Sequence, residues 1–408
     1  MSHWIELREH EARYVSPAQL SDSDAIELHE RYGGREAALD LEWPSPRTQG
    51  RYRVMARASV GSFPLRDGGG VRVAPKVPIA NLFRMLEVAY DVSVRDLDQH
   101  VPVASIDDLF DRLARRLASG VLRRVQRGLA KSYRAERDRL PFVRGRIDPI
   151  GLARSADRAQ LQCHFDEHTA DIHDNHVLVW TLHRLARAPG IGHDARRHVQ
   201  RALYAIGPAV SITAVPSERA VQRWYDRLRQ DYRPMHVLCR LLLEHAGPTH
   251  RDGHRESTAF VIQMPLLFER FVAEELRRRL PPDLALEVQE RVILMSDAKL
   301  HFDIDLVVRD RGTGSARMVL DTKYKDHPIP NTSDISQIAS YALAVDCNHA
   351  VLLYPMGGER SLRPLRHVRV RRMAYVLDGD LSETGDIVAE RIAEIVRSAM
   401  TMASQSTA

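Results

Sequence analysis

Phe302-Asp303-Ile304-Asp305-Leu306-Val307-Val308, the turn Arg309-Asp310-Arg311-Gly312-Thr313-Gly314-Ser315, and Met318-Val319-Leu320-Asp321-Thr322-Lys323-Tyr324-Lys325 decide how this chain is read. Two apolar runs joined by a glycine-bearing turn predict a β-hairpin. Side chains alternate across a strand, so Asp321 and Lys323 project from one face while Leu320 and Thr322 project from the other. The turn brings Asp305 beside Asp321. Neighbouring carboxylates suit a hard divalent cation such as Mg²⁺, which prefers oxygen ligands and keeps several waters. One such water, with Lys323 nearby to orient it or stabilise charge, is equipped for phosphodiester attack. An isolated Asp-x-Lys is more often a solvated hairpin, so its meaning rests on its neighbours.

Outward from the hairpin, Met264-Pro265-Leu266-Leu267-Phe268-Glu269-Arg270-Phe271-Val272 opens a helix. Pro265 suits the first helical position, and Leu267, Phe271, Leu276 and Leu280 form its buried stripe. Glu269 falls within its first two turns. A strand is expected over 284–294, a helix over 333–345, and a buried-type strand at His349-Ala350-Val351-Leu352-Leu353-Tyr354. The order is α-β-β-β-α-β, closed by a strand over 368–375 and a helix over 387–400. Gln337 and Tyr341, four apart on one helix face, are placed to point back at the hairpin.

The chain of 408 residues, 44% of them apolar, is long enough for two or three domains with real cores. It has no run of about 18 apolar residues that could span a membrane. Met1-Ser2-His3-Trp4-Ile5-Glu6 also lacks the charged start and apolar core of a signal peptide, so a cytoplasmic protein without a membrane partner is expected. Cys163, Cys239 and Cys347 are too few and too scattered for a disulfide framework or a four-cysteine zinc site. The net charge of +5 is a mild basic bias. Its distribution matters more: Arg112, Arg115, Arg116, Arg123, Arg124, Arg127, Lys131, Arg134, Arg137, Arg139, Arg144 and Arg146 crowd one segment. That crowd is either a solvated helix face or a phosphate-facing surface.

Towards the N-terminus, strand-like alternation over 52–61 and the triplet Gly68-Gly69-Gly70 predict a small β-unit. No Gly-Lys-Ser/Thr follows the triplet, so it is not a P-loop and nucleotide binding is disfavoured. Helices are expected over 79–90, 106–134, 195–205 and 221–244, with a boundary loop at 246–253. The organisation expected is therefore residues 1–100, mainly β; 101–250, helical and Arg-rich; and 251–408, carrying the hairpin. His164, His168, His173, His176 and His183 lie close in sequence, but their spacing fits no zinc template.

Glu269 on a helix, Asp305 on a strand, Asp321-Thr322-Lys323 on the next, and Gln337-Ile338-Ala339-Ser340-Tyr341 on a helix together resemble the PD-(D/E)XK nuclease fold in its RecB-like form with a Q-x-x-x-Y helix. Ser59-Val60-Gly61, Val73-Ala74-Pro75-Lys76-Val77, Asn81-Leu82-Phe83-Arg84-Met85-Leu86, Gly128-Leu129, Tyr133, Arg144-Gly145-Arg146-Ile147, Cys163, Phe165-Asp166-Glu167, Asp171, Asn175 and Leu267-Phe268-Glu269-Arg270-Phe271-Val272 extend the similarity over most of the chain to the McrC family. That family supplies the nuclease subunit of McrBC-type methylcytosine-dependent restriction systems.

The resemblance implies α+β N-terminal and helical central regions followed by an α/β, restriction-endonuclease-like PD-(D/E)XK domain. It implies an Mg²⁺- or Mn²⁺-dependent endonuclease acting on double-stranded, methylated DNA. The partner would be an McrB-like AAA+ GTPase ring, engaged and stimulated by the N-terminal domain. Asp305, Asp321 and Glu269 would be metal ligands, Lys323 would act on the water, and Gln337 and Tyr341 would position the backbone. Where the family has Arg-Pro-Asp-Ile, this chain has Asp303-Ile304-Asp305-Leu306. Asp305 is preferred as the first ligand because Leu306-Val307-Val308 reproduces the apolar run that follows the family's aspartate, with Asp303 the alternative. Two other readings stand beside this one: a non-catalytic regulator of an AAA+ partner, and a nuclease of the same fold in another defence or repair system without methylcytosine dependence.

Overall fold

The computed structural model describes residues 4–33, 38–65, 68–92, 105–150, 160–188, 190–222, 224–245, 260–295, 300–325, 329–365 and 367–406. Two compact units emerge. Met1–Asp96 and Val261–Ala408 form one, Leu97–Phe260 the other. Segments 1–100 and 251–408, set apart in the sequence reading, thus contribute to the same unit, and the expected boundary loop at 246–253 lies outside the described residues.

The first unit begins with β1 (Trp4–Arg8), β2 (Ala12–Val15), α1 (Asp22–Tyr32), β3 (Leu39–Glu42), β4 (Tyr52–Ala56), β5 (Ser59–Pro64), β6 (Gly70–Ala74) and α2 (Ile79–Tyr90). The run over 52–61, expected as one stretch of alternation, is two strands. Gly70 is required where it stands: at φ +137° a Cβ there would meet the Phe63 carbonyl oxygen at 2.2 Å.

The second unit holds α3 (Ile106–Arg127), β7 (Ser132–Leu140), β8 (Arg146–Ile147), β9 (Leu161–Thr169), α4 (His173–Arg187), α5 (His193–Ile206) and α6 (Tyr232–Glu244). Leu109, Phe110, Leu113, Leu117 and Val121 give α3 its buried face, and the Ser105 hydroxyl caps its start by accepting from Asp108 N. The helix expected over 106–134 stops at Arg127, where Gly128 (φ 93°) ends it. Arg134, Arg137 and Arg139 therefore lie on β7, in a three-stranded sheet ordered β7-β9-β8. The helix expected from 221 begins only at Tyr232. Cys163, Cys239 and Cys347 are free and buried, and no described helix is long and apolar enough to cross a membrane.

The chain then returns to the first unit with β10 (Val261–Gln263), α7 (Met264–Arg279), β11 (Leu284–Met295), β12 (Leu300–Asp310), β13 (Ala316–Thr322), α8 (Thr332–Ala344), β14 (His349–Tyr354), β15 (Arg360–Ser361), β16 (Arg369–Ala374) and α9 (Leu381–Ser406). Its first sheet runs β1-β6-β5-β10, with Ile262 opposite Val60. Its largest runs β11-β12-β13-β14-β16-β15, antiparallel from β11 to β13 and parallel through β14 and β16.

The hairpin forms for local reasons. Asp310 Oδ1 accepts from Gly312 N at 2.9 Å and Thr313 N at 2.8 Å, closing the turn, while Gly314 takes a left-handed φ of 72°. Leu306, Val307, Val308, Met318, Val319, Leu320, Val351, Leu352 and Leu353 are fully buried, so the middle strands read as continuous apolar runs. On one face, Ile338, Tyr341 and Ala342 of α8 pack with Val307, Val319, Leu352 and Val370. This packing fixes register, and register fixes where the acids emerge.

Candidate active site

Leu306 faces Leu320 across β12 and β13, so Asp305 and Asp321 adjoin that pair on the two strands. Asp321 is 1% exposed. Its Oδ1 accepts from Lys323 Nζ at 3.1 Å. Its Oδ2 lies 2.8 Å from the same Nζ but makes no hydrogen bond. Lys323 Nζ also donates to Gln337 Oε1 at 3.2 Å, and Gln337 Nε2 donates to the Tyr341 hydroxyl at 2.7 Å. The Tyr341 ring meets Phe302 edge-on, with centroids 5.1 Å apart. Lys323 N donates to Leu353 O at 2.9 Å, continuing the ladder between β13 and β14 and fixing the backbone that carries the ammonium. Asp305 Oδ2 accepts from Thr322 N at 3.2 Å, and Glu269, on α7, accepts from Gln289 Nε2 at 3.2 Å.

Electrostatics separate these acids from ordinary surface carboxylates. Burial, then the charge of Asp305, pushes the Asp321 carboxyl up to about 7 despite Lys323. Burial also raises Asp305 against the pull of the Thr322 amide and Lys323. Glu269 is raised by burial and by Asp305. For Lys323, burial opposes the charge, but Asp321, Asp305 and Asp334 outweigh it and hold the amine protonated.

These features fit a hard divalent cation at Asp305 and Asp321. All donors are oxygens, two of the acids carry uncompensated repulsion, and Asp321 Oδ2 is a buried acceptor with no hydrogen bond. No group of three or more His, Cys, Asp or Glu among the described residues is arranged to hold a metal, so Glu269 is not preassembled with the aspartates as a three-carboxylate cage.

Asp303 is placed differently. It is solvent-exposed on β12, bonded to Arg291 Nε at 2.8 Å and 3.3 Å from His301 Nε2, and Arg291 holds its carboxyl low. An acid already paired with an exposed arginine is poorly placed to share a cation with Asp321.

Several features around this centre were missed in the sequence. Lys325 Nζ donates to both Asp334 oxygens, at 2.8 and 2.6 Å, and the buried Tyr354 hydroxyl donates to Asp334 Oδ2 at 3.3 Å. Asn331 and Asp334 form a capping box at the start of α8. The Asn-x-x-Asp spacing was the available signal, but it announces a helix start and not a neighbour of Asp321. Gln289, in β11, has φ 52° and lies between the pairs Val288↔Leu306 and Glu290↔Ile304, opposite Asp305. A non-glycine residue at positive φ inside a strand is strained, and nothing in the sequence announces it. Tyr324 packs on Phe268 and donates to the buried Glu9 at 3.1 Å, linking the strand end to the N-terminal sheet.

The histidines lie apart from this centre in sequence and unit: His164 and His168 on β9, His173, His176 and His183 on α4, with His176 Nε2 2.8 Å from Asp171. Several arginines of the basic segment pair with acids: Arg124 with Asp231 at 3.0 Å, Arg137 with Asp148 at 2.7 Å, and Arg134 with Glu136 and Asp171.

Comparison with known proteins follows the same lines. The chain is 23% identical over 211 residues, half of its length, to the type IV methyl-directed restriction enzyme EcoKMcrBC of Escherichia coli K12, and the match spans 60% of that relative. Its fold matches a chain in the assembly of Thermococcus gammatolerans McrB AAA+ hexamers with bound McrC, with a TM-score of 0.54 at 18% identity, covering 95% of this chain and 99% of that one. The family profile described as McrBC 5-methylcytosine restriction system component matches residues 54–355. With most of its length so matched, the chain belongs to the McrBC family of restriction-system components.

Proposed function

We propose that this chain is the Mg²⁺-dependent endonuclease subunit of an McrBC-like restriction system. It would cleave methylated double-stranded DNA through a PD-(D/E)XK centre and stimulate an AAA+ GTPase partner. The observation that carries the reading is the pairing of buried Asp321 with half-buried Asp305, with Lys323 bonded to both Asp321 and Gln337. The methyl-directed activity of the Escherichia coli relative and the McrB hexamers bound by McrC in the Thermococcus gammatolerans assembly support target and partner.

Mg²⁺ or Mn²⁺, held by Asp305 and Asp321 with Glu269 as further ligand or proton acceptor, would supply Lewis acidity at the scissile phosphate and acidify a water. The chain's own residues do the rest. The Lys323 ammonium, protonated and fixed by Gln337, orients the attacking water and meets negative charge as it develops on the phosphate oxygens. Gln337 is itself fixed by Tyr341, whose ring is packed on Phe302, so the ammonium is positioned before substrate arrives. Glu269, its carboxyl raised by burial and by Asp305, is suited to accept a proton.

The test is cleavage of methylated against unmethylated duplex with the McrB-like partner, GTP and Mg²⁺. Cutting confined to methylated DNA and lost in Lys323→Ala supports the reading. Retained cutting by that variant removes Lys323 and the centre built on it.

A further inference from the structure

A second charged site lies at the other end of the sheet. His349 opens β14 and Arg369 opens β16, directly paired across the two strands. Tyr354, which reaches Asp334 beside the catalytic acids, ends β14. At about 3.3 Å per residue the two ends of β14 are roughly 16 Å apart. Around His349 and Arg369 is a cavity of about 430 Å³, lined also by Arg371, Arg391, Arg397 and Glu394. None of these residues contributes to the Asp305–Asp321–Lys323 centre.

The cavity is built as well as basic. Glu359 accepts from Arg371 Nη1 at 3.4 Å and from Arg391 at 2.8 and 3.0 Å, tethering two guanidiniums in one place. Glu394 takes a further bond from Arg391 at 2.8 Å. The Arg369 guanidinium makes no ion pair among the described residues. Arg371 Nε and His349 Nδ1 are buried and have no hydrogen-bond partner. The buried Arg371 Nε–H left unsatisfied is costly, and an oxyanion in the cavity would relieve that cost. Burial, then Arg369 and Arg371, lowers the His349 pKa, so the ring is neutral at neutral pH and a phosphate beside it would draw it back towards the charged form.

We propose that this cavity is a binding site for a phosphate group. Guanidinium forks match phosphate oxygens in bidentate geometry. Arg371 and Arg391 share Glu359, and Arg369 adds a guanidinium with no ion pair among the described residues, so the cavity presents positive charge that a phosphate group would balance. The group is carried either by a small phosphorylated ligand or by a nucleic-acid backbone, and the two sources are separable.

Calorimetric titration of the full chain with pyrophosphate at constant ionic strength tests the assignment without any cleavage readout, so it stands or falls independently of the nuclease reading. Saturable binding is expected, weakened about tenfold or more by Arg369→Ala/Arg397→Ala, whose side chains are exposed and whose thermal melt should match the wild type. Lys323→Ala should bind pyrophosphate as the wild type does, separating this cavity from the catalytic centre. In parallel, affinity for a short duplex is measured against salt concentration. A shallower salt slope in the double variant assigns the site to backbone phosphate, while an unchanged slope with lost pyrophosphate binding assigns it to a small ligand. No saturable pyrophosphate binding together with an unchanged salt slope overturns the proposal. So does pyrophosphate binding that the double variant retains in full.

Discussion

At the scale of single residues, the buried Asp321 carboxyl is held at the expense of stability. Its carboxyl is pushed up to about 7 from an ordinary value of 3.8. Between roughly pH 4 and 7 the folded chain therefore holds a proton that the unfolded chain has lost, and stability falls as pH rises through that window. Urea unfolding of the metal-free protein should show this fall. In Asp321→Asn it should be flatter by on the order of 1 kcal/mol, because the amide cannot ionise. The same variant should lose cleavage. The Asp303/Asp305 ambiguity is decided at this scale too: Asp305→Ala should cut about 100-fold more slowly or worse, and Asp303→Ala at near wild-type rate. The reverse pattern in a cleavage time course would show the wrong acid was chosen. The sequence presented both acids on one strand face and preferred Asp305 only through the apolar run that follows it. What sets their surroundings apart is Arg291 on the neighbouring strand, whose pairing with Asp303 depends on the register of β11 with β12.

At the scale of elements, legibility followed apolar periodicity. The order from α7 to β14 was readable because Leu306-Val307-Val308, Met318-Val319-Leu320 and Val351-Leu352-Leu353 are uninterrupted apolar runs, and α8 carries Ile338, Tyr341 and Ala342 on one face. β7 was not readable as a strand. Its sequence, Ser132-Tyr133-Arg134-Ala135-Glu136-Arg137-Asp138-Arg139-Leu140, is exposed or half-buried throughout, so no period of two in apolar residues marks it. Strand pairing across long sequence separations, such as β10 with β5, leaves no local trace. The capping box at α8 gives a test at this scale. Asn331→Ala should cost about 1 kcal/mol of stability. It also releases Asp334 N, loosening the acid that Lys325 and Tyr354 hold. Cleavage should weaken less than in Lys323→Ala. An Asn331→Ala protein of unchanged stability would contradict the cap's role.

At the scale of the whole molecule, the carboxylate hairpin belongs to a unit made from residues 1–96 and 261–408. β10 extends the N-terminal sheet, Asn81 Nδ2 donates to Leu377 O and Gly379 O at 2.8 and 2.9 Å, and Tyr324 is bonded to Glu9. A fragment of residues 251–408 alone should therefore lack cooperative unfolding in a thermal melt, and co-expression with residues 1–96 should restore it; a sharp transition in the isolated fragment would argue that the N-terminal segment is dispensable. The central claim, that Asp305 and Asp321 make a cation site beside Lys323, is tested most directly by calorimetric titration of the full chain with Mg²⁺ or Mn²⁺ near pH 7, where the Asp321 carboxyl is still partly protonated. The wild type should bind with release of protons and gain thermal stability, while Asp321→Asn should do neither. Wild-type protein that takes up no cation, or an Asp321→Asn variant that binds as well as the wild type, would contradict it.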